Sequence, residues 1–138
     1  MITSAIKSTG RTHEISRLWI TLKYTFAIVP IVAGLDKFTN FLVEWSKYLN
    51  PDLQNALPFS PGTFMTIVGI IEIAAGFLVL FKTELGAYVV SAWLICIAIS
   101  LLIGWTYPDV AVRDIVMAIA AFTLARLTHL KNTELAQE

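Results

Sequence analysis

Apolar positions in this chain fall into four blocks separated by short polar stretches: Leu18–Leu42, Thr63–Phe81, Leu85–Gly104 and Val110–Leu130. A helix needs about 20 mostly apolar residues to cross a bilayer. Each block is near that length. The pattern therefore predicts an all-α fold, an integral membrane four-helix bundle. The polar stretches 1–17 and 132–138 are expected as tails, the second one frayed.

The intervals between blocks carry turn and cap signals. Asn50-Pro51-Asp52 reads as an N-cap, a first-turn proline and an early acid. It starts a short helix through Leu57 in the first loop. Trp45, Tyr48 and Phe59 place that helix at the lipid–water boundary. Ser60-Pro61 repeats the signal and launches the second span. Thr83, followed by Glu84, is expected to cap the third. The stretch from Trp105 to Asp109 ends the third span and opens the fourth. Pro30 is expected to kink the first, because proline gives no N–H to the carbonyl four residues back.

Composition agrees with a lipid environment. Hydrophobic residues make up 57% of the 138, charged residues 14%, and the mean hydropathy is +0.71. Soluble domains run at about 45–50% apolar and about 25% charged. Little chain is left for a soluble catalytic domain. The apolar run after the basic N-terminal stretch is too long for a signal peptide, and no small-residue cleavage site follows it. It reads as a retained first span.

Lys7, Arg11, Arg17, Lys23, Lys82, Arg126 and Lys131 fall on the side of the two termini, and Lys37, Lys47 and Arg113 on the other. The positive-inside rule then places both termini in the cytoplasm, in the cell's inner membrane, with the long loop outside. Net charge is zero, which argues against nucleic acid as a partner. Cys96 is the single cysteine, so a disulfide within the chain, a C-x-x-C redox pair or a cysteine zinc site is excluded. Its thiol is expected as a small packing residue.

Within the spans, small residues recur at helical spacing. Pro30, Gly34 and Lys37 share one face of the first span, and Gly69, Glu72 and Gly76 one face of the second, with Thr66 just above. The third is expected to pack through Tyr88, Ala92, Cys96, Ser100 and Gly104. The fourth is expected to pack through Asp114, Ala118, Ala121 and Ala125.

Charged residues inside these blocks are the main chemical signal. Glu72 lies roughly 14 Å below an entry at Thr63, counting 1.5 Å per residue. A charge at that depth costs roughly 2.5–3.5 kcal/mol on insertion scales. Asp36 and Lys37 lie roughly 8–9 Å below an exit at Leu42, and Arg113 and Asp114 roughly 6–8 Å below an entry at Asp109. All five occupy the outer half of the bilayer. Lys37 or Arg113 can neutralise Glu72. Asp36 and Asp114 can accept the other cation, with Asn40 a hydrogen-bond partner one turn above Asp36. Two readings stay open. One is an ion network that only fixes helix register. The other is a polar pocket, open to the outside, that binds a headgroup, a quinone ring or a small polar solute.

Other side chains carry less. Trp19 and Tyr24 at one boundary, and Trp45, Trp105 and Tyr107 at the other, are expected as an aromatic belt. Trp93, in mid-span, can line a pocket, but lipid contact or packing is the expectation. His13 and His129 lie too far out for ligand roles, which leaves no paired histidines for a haem. H-E-x-x-H, P-loop, G-x-G-x-x-G and nucleophile-elbow motifs are absent from the sequence.

The same polar residues resemble those of the DoxX-like family of small bacterial and archaeal membrane proteins. Gly34-Leu35-Asp36-Lys37-Phe38 is similar to that family's glycine-then-lysine signature. The run from Gly69 through Glu72 to Gly76 is similar to its second-helix G-x-x-E-x-x-x-G pattern, and Arg113-Asp114 to its fourth-helix R-D pair. The likeness covers about residues 17–130. The outer loop with its Asn50-Pro51 helix departs from the shortest members. The family is named for a subunit of a thiosulfate:quinone oxidoreductase, and some members are linked to oxidative-stress complexes. The resemblance implies a subunit or accessory factor of a quinone-linked redox system, with Lys37, Glu72, Arg113 and Asp114 as candidate positions. No cofactor is built in, and a quinone is the one ligand implied. Expected partners are the bilayer, further membrane or redox subunits, and a second copy of the chain. The alternatives are a small proton- or solute-permeation protein and a structural interaction protein.

Overall fold

The structure, a computed structural model, describes residues 2–136, with side chains over 10–134. It is all-helical among the described residues. The elements are α1 (Ile2–Thr39), a 3-10 turn (Trp45–Tyr48), α2 (Pro51–Ala56), α3 (Pro61–Phe81), α4 (Thr83–Ile103) and α5 (Pro108–Ala136).

The four long helices form the expected bundle, with the short α2 in the loop between α1 and α3. α3 and α4 have 21 residues each, about 31 Å at 1.5 Å per residue, which matches a hydrocarbon core of about 30 Å. Three helices are long and apolar enough to cross a membrane: α1 over Gly10–Thr39, α3 and α4. The sequence predicts a fourth span, Val110–Leu130, within α5. It is long enough, but Arg113 and Asp114 near its start and Arg126 near its end shorten its uninterrupted apolar stretch. It completes the bundle by packing along α4.

Both expected tails continue as helix. α1 begins at Ile2, and α5 runs past Asn132 to Ala136. Residues 2–17 contain no proline and only one glycine, so nothing in them stops a helix that the span has already nucleated. α1 also runs unbroken through Pro30. It stops at Thr39 rather than Leu42, where Asn40 takes a left-handed φ of 50° and its N–H donates to the Asp36 carbonyl at 2.6 Å.

The loop helix is built as its sequence predicts. Asn50 Oδ1 accepts from the Asp52 N–H at 2.9 Å, and Pro51 opens the first turn. Asn50 does more than cap. It is buried, and its Nδ2 donates to the Ser100 carbonyl at 3.2 Å, so it latches the loop onto the end of α4. A Cβ on Gly104 would collide with that amide. Ser60 caps α3 through the Thr63 N–H. Thr83 does not cap α4. Only Lys82 separates the two helices, so the Thr83 hydroxyl reaches back and donates to the Val79 carbonyl at 2.8 Å.

Packing follows the logic of lipid as solvent. The buried core is largely alanine: Ala27, Ala75, Ala87, Ala98, Ala111, Ala118, Ala121 and Ala125. Large side chains such as Ile28, Ile70, Phe77, Ile99, Val116 and Ile119 face outward. Between helices in a bilayer, close backbone approach through small residues replaces hydrophobic burial as the cohesive force. α1 and α3 form one tight pair through Ala27 and Gly34 against Gly76 and Gly69. α4 and α5 form the other, with the Ser91 hydroxyl donating to the Ala118 carbonyl at 2.8 Å. The α5 seam is the expected one. The α4 seam is not. Its buried face is Gly86, Ala87, Val90, Ser91, Ala98 and Leu101, while Ala92 and Cys96 are exposed. Cys96 therefore faces outward instead of packing.

Candidate functional site

The α1–α3 glycine contact sets up the charged centre. Where side chains are absent at Gly34 and Gly69, the two backbones approach closely, and the Lys37 Cβ lies 3.2 Å from where a Gly69 Cβ would stand. Lys37 is thereby laid along α3. Its Nζ meets Glu72 Oε2 at 2.6 Å, with the lysine side chain 4% exposed. Of the two cations considered for Glu72, the structure chooses Lys37.

The pair is extended by aromatic groups on both sides. Lys37 Nζ lies 3.7 Å from the centroid of the Trp45 ring. The Trp45 indole Nε1 donates to Asp36 Oδ2 at 2.7 Å. On the other side the Trp93 Nε1 donates to Glu72 Oε1 at 3.4 Å. A chain of contacts thus runs Asp36–Trp45–Lys37–Glu72–Trp93 across α1, the loop between α1 and α3, α3 and α4. Mutual neutralisation is what makes a buried ion pair tolerable at this depth, because an unpartnered charge there costs several kcal/mol.

Among the described residues Asp36 pairs with no cation. Its Oδ1 accepts from the Phe41 and Leu42 N–H groups at 3.0 and 2.9 Å and from the Thr39 hydroxyl at 3.3 Å. The carboxylate satisfies the backbone where the chain turns out of α1, and so fixes Trp45 over Lys37. Asn40 is not bonded to the Asp36 carboxylate. Its Oδ1 accepts from the Trp45 N–H at 3.4 Å, a second restraint on the same loop.

Arg113 stands apart from this centre. Its side chain is 72% exposed and donates to Asp109 Oδ2 at 3.2 Å, one turn back on its own helix. The nearer acid wins because the pair forms within α5 without desolvation. Asp114, by contrast, turns inward and is 7% exposed. It lies close enough to Glu72, Arg113 and Lys37 to feel their charges. Among the described residues, no hydrogen bond reaches its carboxylate. Lys37, Glu72, Asp36 and Asp114 are therefore brought to one region, Asn40 to its rim, and Arg113 outside it.

Trp45 and Trp93 belong to the site, Trp45 against the expectation of a belt residue and Trp93 as the pocket-lining alternative to lipid contact or packing. For Trp93 a signal existed. An indole N–H in mid-span, away from the watery boundaries, needs a polar partner. For Trp45 there was none, since its position depends on the sharp turn at Asn40.

A cavity of about 360 Å³ adjoins the pair, between the end of α1 and the start of α3. Lys37, Asn40, Ser46, Thr63 and Thr66 supply its polar lining, and Phe38 and Met65 its apolar part. Lys37 is the group common to the cavity and the ion pair. Among the described residues no group of three or more histidine, cysteine or acidic side chains is placed to hold a metal ion. No family model, curated protein or solved structure matches the chain.

Proposed function

We propose that this membrane protein binds the ring or headgroup of a small amphipathic molecule, a quinone, in the cavity beside Lys37. In this reading it serves as a subunit or accessory factor of a quinone-linked redox system. The observation that carries it is the double engagement of Lys37. An ammonium has three donors. Glu72 accepts one, and Lys37 also lines a cavity rimmed by Asn40, Thr63 and Thr66, within which a remaining donor would meet an acceptor. A quinone carbonyl accepts a hydrogen bond from such a donor, while Phe38 and Met65 meet its ring. The chain's own residues bind and orient; electrons come from a partner. The motif likeness to DoxX-like proteins around Gly34–Phe38 and Gly69–Gly76 supports the same reading. The lysine and arginine distribution supports an inner membrane with both termini cytoplasmic, so that the cavity opens outward.

The test is binding of a labelled ubiquinone or menaquinone analogue by the purified protein in detergent. Lys37→Met and Thr63→Val are expected to weaken binding. A wild-type protein that takes up no analogue removes the reading.

One observation favours a second reading, proton or solute permeation. Among the described residues Asp114 is a buried carboxylate that receives no hydrogen bond, near enough to Glu72 to feel its charge. Two acids near one lysine form a place where a proton can be exchanged. Proteoliposomes would then show a flux that Asp114→Asn abolishes; no flux above empty vesicles rules it out.

A further inference from the structure

The end of the bundle opposite Lys37 has a second opening, of about 570 Å³, between α1, the α3–α4 turn and the last turns of α5. Trp19 lines it. Its Nε1 donates to the Thr128 hydroxyl at 2.9 Å, and buried Thr128 donates in turn to the Leu124 carbonyl at 2.8 Å. The indole is thus held between α1 and α5.

Cations gather on this ring. Lys131 Nζ lies 3.7 Å from its centroid and Lys23 Nζ 4.9 Å. Lys82 lines the same groove from the α3–α4 turn. Among the described residues no carboxylate pairs with any of the three. The acid of the groove, Glu84, is held by His129 Nδ1 at 2.9 Å. Ammonium groups that share one indole repel each other, and the ring offsets only part of that repulsion. Against these three ammonium groups the described part of the groove sets one carboxylate, Glu84, so it carries an excess of positive charge.

Its other edge is apolar. Phe81 and Leu85 line it and are both exposed, on faces of α3 and α4 that continue into the membrane. An occupant must therefore be anionic at one end and hydrocarbon at the other, and must lie at the bilayer surface. We propose that this groove binds an anionic phospholipid. Its phosphate sits among Lys23, Lys82 and Lys131, and an acyl chain lies along Phe81 and Leu85. Free phosphate satisfies only the first half of this chemistry. The proposal is independent of the reading of the Lys37 cavity.

The test is native mass spectrometry of the full chain in detergent, titrated with phosphatidylglycerol and in parallel with phosphatidylcholine. Phosphatidylglycerol is expected to be retained in preference. A lysine near an anionic surface contributes about fivefold in affinity, so the double variant Lys23→Gln/Lys131→Gln should lose about 30-fold for phosphatidylglycerol and little for phosphatidylcholine. Lys47→Gln, at the opposite end, should change neither. If the double variant does not fold, Lys82→Gln, on the exposed turn, gives the same reading at about fivefold. Equal retention of the two lipids overturns the proposal, as does a preference indifferent to these lysines. Displacement of phosphatidylglycerol by an equal concentration of glycerol phosphate assigns the groove to free phosphate and overturns it as well.

Discussion

Gly34 and Gly69 face each other backbone to backbone. A Cβ on the first would stand 2.6 Å from the Gly69 carbonyl oxygen, and one on the second 2.8 Å from the Gly34 carbonyl oxygen. These are main-chain atoms, so no side chain can rotate away. The contact fixes the separation of α1 and α3, and with it the reach of Lys37 to Glu72.

Gly34→Ala and Gly69→Ala are each expected to destabilise the folded protein in detergent by about 1–3 kcal/mol, the usual cost of overpacking. Gly62→Ala, where nothing lies within 4 Å of the added carbon, is the control and should leave the unfolding midpoint nearly unchanged. A Gly69→Ala protein as stable as wild type would show that the helices pack differently.

Removing one member of the buried pair strands the other. Lys37→Met alone, or Glu72→Leu alone, should cost about 3–5 kcal/mol in an unfolding titration. The combined variant should recover much of that loss, because no charge is then left without its counter-ion. A double variant no better than the worse single one would show that the two groups do not hold each other.

The two aspartates should respond in opposite ways. Asp36 accepts hydrogen bonds from the Phe41 and Leu42 N–H groups and from Trp45 Nε1, so Asp36→Ala should lower the unfolding midpoint and shift the tryptophan emission as the Trp45 indole loses its place. Asp114 receives no such bond and lies near the charge of Glu72, so Asp114→Asn should keep the midpoint or raise it. A large drop for Asp114→Asn would reveal a counter-charge holding that carboxylate.

Much of the architecture was legible because it rests on local pattern. Asn50-Pro51 and Ser60-Pro61 start α2 and α3 where their cap chemistry says they must. Gly69, Glu72 and Gly76 share a buried face, as do Asp114, Ala118, Ala121 and Ala125. α4 was different. It is apolar all round, so periodicity does not orient it, and small residues lie on more than one face. The row through Ala92 and Cys96 looked as suitable as the row through Ala87 and Ser91 that is used. At the charged centre, residue type and depth left Lys37 and Arg113 as alternative partners of Glu72, and the fold pairs Lys37 with it. Residue type and depth could not separate Asp114 from Arg113, adjacent in sequence, because the direction of a helix face decides which points inward. The part played by Trp45 depends on a chain reversal at Asn40 that composition does not announce.

The two tight pairs, α1 with α3 and α4 with α5, meet along a sparser boundary. That boundary is pinned at one end, where Gly86 presses on the Val79 backbone and Trp19 is bonded to Thr128. Toward the other end, the Trp93–Glu72 and Asn50–Ser100 hydrogen bonds join the halves, beside the Tyr48–Tyr107 ring contact. The bundle is thus shaped like a book with its spine at the terminal side, and one of its clasps closes on the same carboxylate that holds Lys37. Anything that pulls Lys37 off Glu72 also tugs at the covers.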